Sequence, residues 1–274
     1  MNVVVLVKYV PDATADRRFE QDFTVDRVEV DGLLSELDEY AVEQALQLKE
    51  KRPDDAIEVT ALTVGPEKAV DAVRKALQMG ADKGVHVLDD AVAGSDYLGT
   101  SLVLAKAIEK LSNDGGAESP VDLVVTGMAS TDASGSVVPV MLAERLNLPQ
   151  VTLAAVVETQ GDQVRIKRDT DAATEVVGAR MPLVLSVTDQ SGEARYPSFK
   201  GIMAAKKKPL EVYSLADLGI DAGQVGLAAA YTEVTDATAR PPRTAGEIVK
   251  DDVVDGASAG AKALAEFLAA KKFI

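Results

Sequence analysis

The chain has 274 residues, a formal net charge of −15, 47% hydrophobic and 4% aromatic content, one histidine, and neither cysteine nor tryptophan. That length supports one large domain, or one domain with a smaller part, around a core of Val, Leu, Ala and Ile. The negative charge argues against binding to nucleic acid or an anionic membrane, and the missing cysteine excludes disulfides, iron–sulfur clusters, thiolate zinc sites and a cysteine nucleophile.

Val3 to Val7 predicts a strand buried on both faces, and Lys8 to Asp12 the loop after it. Residues 13 to 34 are polar and irregular and predict a surface excursion or hairpin, with an extended piece from Phe23 to Val30. Ser35-Glu36-Leu37-Asp38 fits a loose capping box, and a helix follows to about Lys51 with Leu37, Ala41, Ala45 and Leu48 along one stripe. Ile57 to Val64 predicts a strand stopped by Gly65-Pro66. Glu67 to Met79 predicts a helix whose C′ position suits Gly80. Val85 to Leu88 predicts a strand, Tyr97 to Leu111 a helix, and Asn113 to Ser119 a loop.

Pro120 to Pro149 is the stretch around which the rest is organised. Val121 to Val125 predicts a buried strand ending at Gly127, and Val137, Val138, Met141, Leu142 and Leu146 recur at helical spacing. Between them lie Met128, Ala129, Ser130, Thr131, Asp132, Ala133, Ser134, Gly135 and Ser136, nearly all small. A loop this small lets backbone N–H groups approach an anion, and the helix N-terminus behind it adds donors and a favourable dipole. It is therefore read as a phosphate cradle for a nucleotide. The plainer alternative is a βα turn rich in helix-capping residues; the loop is neither a Walker loop nor G-x-G-x-x-G.

Val151 to Val157 predicts a further strand. Strands and helices alternate up to that point, which predicts an α/β fold: a doubly wound, mostly parallel, Rossmann-like sheet of the adenine-nucleotide-binding kind. Ligands of such sheets sit beyond the carboxyl ends of the strands, so Lys8 to Asp12, the turn near Val64-Gly65 and Gly127 to Ser136 are expected to line one crevice. Then the pattern changes. Gln163 to Thr170 and Thr174 to Ala179 predict an added hairpin, and Leu183 to Val187 another buried strand. Asp189 to Lys208 is polar and then basic, 209 to 254 reads as loop, and Ala257 to Lys272 predicts an Ala-rich helix. The expected organisation is a nucleotide-binding domain over residues 1–188 and a C-terminal arm over 189–274 that packs on a partner subunit, with folding back on its own domain as the alternative.

Acid–base chemistry is sparse. His86 is the only histidine and sits inside the apolar GVHVL, where a core or edge role is expected. No G-x-S-x-G is present. Asp54-Asp55 and Asp89-Asp90 read as solvated turns, and Lys206-Lys207-Lys208 as a solvated face. A binding or carrier role is expected, not an enzyme. No leader pattern follows Met1 and no apolar run approaches membrane-spanning length, so a cytoplasmic protein is expected.

Several stretches, in order along nearly the whole chain, resemble the electron transfer flavoprotein family, on its beta-subunit side. They are VVVLVKYVPD, DEYAVEQALQLKE, TVGPEKAVDAVRKALQMGADKGVHV, the loop Gly127 to Val138, MLAERLNLP, ARYPSFKGIMAAKKKPLEV and the late RTAG of Arg243 to Gly246. The resemblance implies a heterodimer with an alpha subunit that holds most of a redox-active FAD, and a beta subunit that buries AMP. It implies electrons received from flavin dehydrogenases, acyl-CoA dehydrogenases above all, and delivered to a membrane quinone oxidoreductase. A branch of the family carries a second FAD in place of AMP and bifurcates electrons; Ala93-Gly94-Ser95-Asp96 resembles a version common there. An ATP-hydrolysing or regulatory protein of related fold is the alternative from another class.

Carried over by motif, the AMP contacts fall at Leu6, at Ser35, Glu36, Leu37 and Asp38, at Val64, and at Gly127 to Val138. Dehydrogenase docking falls at about Ser191 to Lys200: Ser191, Gly192, Tyr196, Phe199 and Lys200. Three departures stand out. Ser35-Glu36 replaces a frequent Asn-Pro. Val137 replaces a frequent Gln, which removes one side-chain donor. Ser191 and Gly192 occupy the place of a leucine anchor, so Tyr196 or Phe199 is expected to take that part.

Overall fold

The computed structural model describes every residue except 15–16, 28, 115–119, 239–240, 242–245, 247, 251–252 and 255–256. Most of the late RTAG motif, Arg243 to Ala245, lies outside the described residues.

In chain order the elements are β1 (Asn2–Leu6), β2 (Tyr9–Pro11), β3 (Gly32–Leu34), α1 (Glu36–Lys51), β4 (Glu58–Val64), α2 (Val70–Met79), β5 (Lys83–Val87), α3 (Tyr97–Asp114), β6 (Val121–Gly127) and α4 (Val138–Leu146). There follow β7 (Gln150–Ala154), β8 (Val156–Gln160), β9 (Gln163–Asp169), β10 (Thr174–Arg180), β11 (Leu183–Val187), α5 (Phe199–Ala205), β12 (Leu210–Tyr213) and α6 (Ala259–Ala270).

Seven strands form one sheet in the order β12-β5-β4-β1-β6-β11-β7. Every neighbouring pair in it is parallel. Both faces are covered. Val3, Val5, Val59, Leu123 and Leu185 lie with α1 and α2 in one core layer. Val4, Leu62, Val85, Val124 and Val184 lie with α3 and α4 in the other. Burial of both faces is why the strands read as unbroken runs such as VVVLV, without a period of two. This is the expected doubly wound α/β architecture. The order reverses at β1, because β4 and β5 follow on one side and β6 on the other. The crevice of such a fold therefore lies between the carboxyl ends of β1 and β6.

The excursion after β1 is a hairpin at its base, where β2 and β3 pair antiparallel, with a bridge between Phe19 and Val25 further out. The expected hairpin at 163–179 is β9 paired with β10, and β8 completes an antiparallel three-stranded sheet.

Three expectations need correction. The single strand over 151–157 is two: β7 joins the main sheet and β8 the small one, with a register shift in the β7–β11 pairing and Leu153 at φ 61° bending the chain out. Residues 209–254 are not all loop. Leu210 to Tyr213 adds β12 in parallel to β5, and Tyr213, Leu215, Leu218, Ile220 and Val225 are buried in the α3/α4 layer. Lys206 to Lys208 is not wholly solvated, since Lys208 Nζ donates to the carbonyls of Leu77 and Ala81 at 2.9 and 2.6 Å, placing a cation at the C-terminal end of α2. A compact unit runs from Met1 to Asp236, and a second unit spans Ala237–Ile274. In that second unit α6 is capped by Ser258, whose Oγ accepts the Ala261 N–H at 2.9 Å.

Candidate functional site

The crevice between β1 and β6 is built around Asp38. Its carboxylate accepts the backbone N–H of Lys8, just past β1, at 2.9 Å. It also accepts the N–H of Gly127, the last residue of β6. One side chain from α1 thus ties together the two strands that part at the switch point. Burial pushes the Asp38 carboxyl up to about 7, against the pull of those N–H groups and the Lys8 charge. The close approach needs Gly127, because a Cβ there would lie 2.7 Å from Asp38 Oδ1 and 2.7 Å from the Leu37 carbonyl oxygen.

The expected capping box at Ser35 to Asp38 does not form. Ser35 makes no side-chain cap bond to α1. Its Oγ instead accepts the Thr131 N–H at 3.3 Å, and its N–H donates to the Lys8 carbonyl at 2.9 Å. Asp38 is drawn to the ends of β1 and β6, and Ser35 to the loop after β6, where backbone N–H groups need partners.

The loop from Gly127 to Val138 closes over this point. Ser134 donates its N–H to the Ser130 carbonyl at 2.9 Å. Ser134 and Ser136 hold left-handed φ values of 50° and 56°. Left-handed residues set among ordinary ones turn successive N–H groups to one side, the geometry of an anion nest. Between them Gly135 lets the Tyr97 hydroxyl approach, since a Cβ there would sit 2.0 Å from it and the Tyr97 side chain would have to shift. The helix α4 behind the loop has Val137 at its N-cap with no side-chain cap, Pro139 in its first turn and no acidic residue there. Its first N–H groups are not taken up by a cap, and its dipole favours an anion.

Cations gather at the loop. Lys8 Nζ reaches Asp132 Oδ1 at 2.9 Å and Ser130 Oγ at 3.4 Å. Arg27 pairs with the same Asp132 carboxylate, and Arg17 NH1 donates to the Thr131 carbonyl at 3.0 Å. Burial tends to raise Asp132, yet Lys8, the Ser130 bond and Arg27 outweigh it and hold the carboxyl below its ordinary value. Burial lowers Lys8, opposed by Asp132. Arg17 and Arg27 were missed from the sequence because 13–34 reads as surface; the available signal was a basic group inside an otherwise acidic chain.

The structure brings Ser35, Leu37, Asp38, Gly127 and Ser130 to Asp132 together. The Leu6 side chain is core, so its backbone alone can face the crevice. Glu36 is exposed at the start of α1, and Val64 stands partly buried at the end of β4, two strands from β6. Next to Val64, the Gly65 carbonyl is bonded to His86 Nε2 at 2.9 Å, which gives the buried histidine a structural partner. Ala93 to Asp96 is spent on structure. Ser95 Oγ accepts the Gly226 N–H at 2.7 Å, and Asp96 accepts the N–H groups of Leu98, Gly99 and Tyr231 at 2.9, 3.0 and 2.8 Å.

Away from the crevice, the segment 191–200 is anchored to α1. Arg195 Nε bonds Glu43 Oε2 at 2.6 Å, and its NH1 reaches Glu50 Oε1 at 2.5 Å. Gln44 Nε2 donates to the Ser191 carbonyl at 2.7 Å. Gly192 takes φ 135°, a conformation side chains disfavour. Ser198 caps α5, accepting the Gly201 N–H at 3.0 Å. On this fixed frame Tyr196 and Phe199 are 90% and 80% exposed, and Lys200 is exposed beside them. Among the described residues no cluster of potential metal ligands occurs and no helix is long and apolar enough to cross a membrane. The arrangement sets loop N–H groups and the N-terminus of α4 beside the carboxyl ends of β1 and β6, with Lys8 and Arg27 paired to Asp132.

An electron transfer flavoprotein domain model matches residues 22–218. A protein of Mycobacterium tuberculosis called electron transfer flavoprotein subunit beta is 44% identical over 276 aligned positions, covering 100% of this chain and 99% of its own length. Its namesake in Mycobacterium leprae is likewise 44% identical with the same coverage. One from Megasphaera elsdenii is 32% identical over 250 positions, 91% of this chain and 92% of its own. The chain therefore belongs to the electron transfer flavoprotein family, as a beta-type subunit.

Proposed function

We propose that the chain pairs with an electron transfer flavoprotein alpha subunit, holds AMP in the crevice between β1 and β6, and supports an FAD carried mainly by that partner. The complex carries electrons in the cytoplasm from flavin dehydrogenases, acyl-CoA dehydrogenases among them, to a membrane quinone oxidoreductase. The beta chain is a carrier subunit and not an enzyme in its own right. One observation carries the AMP reading: the phosphate-cradle loop, the uncapped α4 N-terminus and Lys8 converge at the switch point of a doubly wound sheet. The loop from Gly127 to Val138 is also the one the family resemblance assigns to AMP. The docking reading is supported by Tyr196 and Phe199, large apolar side chains presented to solvent on a segment clamped to α1.

The test is to co-express the chain with its alpha partner, denature the purified complex, and quantify released nucleotides by chromatography. About one FAD and one AMP per heterodimer is the expected result. Two FAD and no AMP would move the protein to the bifurcating branch. ATP or ADP without flavin would defeat the proposal.

A further inference from the structure

Asp132 is out of place in a phosphate cradle. A carboxylate in the middle of the loop repels the anion the loop is shaped to hold. The structure turns that charge away: the Asp132 side chain is 1% exposed and is enclosed by two cations from different elements. Lys8 stands at the end of β1, fixed through its own N–H to Asp38. Arg27 arrives from the excursion between β2 and β3, whose Arg17 holds the same loop by the Thr131 carbonyl. Arg27 also donates from NH1 to the Val25 carbonyl at 3.1 Å, which braces the guanidinium toward the loop. Its side chain stays 26% exposed.

We propose that Arg27 is a charge-shielding residue of the nucleotide site: with Lys8 it neutralises and buries Asp132, leaving the loop N–H groups to face a phosphate without a competing anion. This rests on the reading of the crevice as a nucleotide site. Arg27 acts through Asp132 and is a positioning residue. Its effect is specific to the phosphate: a ligand with the same base and ribose but no phosphate is indifferent to it.

The experiment uses the heterodimer, with Kd for AMP and for adenosine measured by equilibrium dialysis after the resident nucleotide is exchanged. R27A is expected to weaken AMP about tenfold, because Lys8 alone then balances Asp132 and the loop loses one net positive charge in a partly buried site, while adenosine binding holds. R27A/D132N is expected to restore AMP binding, because no carboxylate remains to shield. D132N alone, with Arg27 in place, is expected to bind AMP at least as well as the parent. Equal weakening of AMP and adenosine by R27A, unchanged AMP binding, or a selective loss of AMP in D132N would overturn the proposal; the D132N arm stands even if R27A does not assemble. A parent complex that binds neither AMP nor adenosine would instead refute the nucleotide site itself.

Discussion

Asp38 makes the stability of this fold depend on pH in a direction opposite to that of most carboxylates. In the folded chain its carboxyl is pushed up to about 7 by burial, against about 3.9 in an unfolded chain. A raised carboxyl favours folding below the unfolded value, and that contribution is lost as pH rises through the folded one. Three units correspond to about 4 kcal/mol in all, of which about 2.5–3 kcal/mol falls between pH 5 and pH 8. Asp38→Asn removes the titration. It also places an amide where the backbone N–H groups of Lys8 and Gly127 need acceptors, costing about 1–3 kcal/mol at every pH. Urea unfolding of both proteins at pH 5, 6, 7 and 8 gives the difference curve. The wild-type advantage should shrink by about 2.5–3 kcal/mol across that range, and above pH 7 it should be small or reversed. Titrating groups that do not feel the Asp38 charge cancel in the difference; Lys8 and Asp132, which do, contribute a second, smaller pH-dependent part. A difference that stays flat, or that grows with pH, would show that Asp38 is ionised in the fold and refute the argument.

Two further outcomes follow from the packing. Gly127→Ala puts a Cβ within 2.7 Å of Asp38 Oδ1 and of the Leu37 carbonyl oxygen, and should cost about 1–3 kcal/mol by wedging α1 from the end of β6; a urea midpoint equal to the parent's would contradict that close approach. A chain ending at Asp236 should keep cooperative unfolding, because the compact unit ends there. A chain ending at Thr188 should not fold, since it strips β12 from β5 and removes five buried side chains, each contributing about 1.5–3 kcal/mol, from the α3/α4 layer. Circular dichroism and gel filtration distinguish the two, and equal behaviour of both truncations would count against the second.

Much of the fold was legible locally. The apolar runs of β1, β4, β6 and β11 declare strands buried on two faces, and the helical stripes between them imply the crossovers of a parallel sheet. The smallness of residues 127–136 marked the loop before its geometry was known. The ordered motifs marked the family. What local pattern could not carry was pairing. LEVY at 210–213 is too short to announce a strand, and it becomes one because the β5 edge offers a ladder beside it. Val151 to Val157 reads as one run, but two sheets compete for it and the chain breaks at Ala155.

The site divides in the same way. Sequence singled out the loop proposed to cradle an anion, because small residues before a helix are a local property. Tertiary structure decided how Asp38 and Asp132 are used, because the partners of Asp38 lie 30 and 89 residues away along the chain, and those of Asp132 105 and 124. A capping box in sequence became a tie between two strands, and a polar excursion delivered the arginine beside the loop. Short-range chemistry proposes hydrogen-bond partners, but burial determines which charged groups must find partners and which ones are near enough to serve.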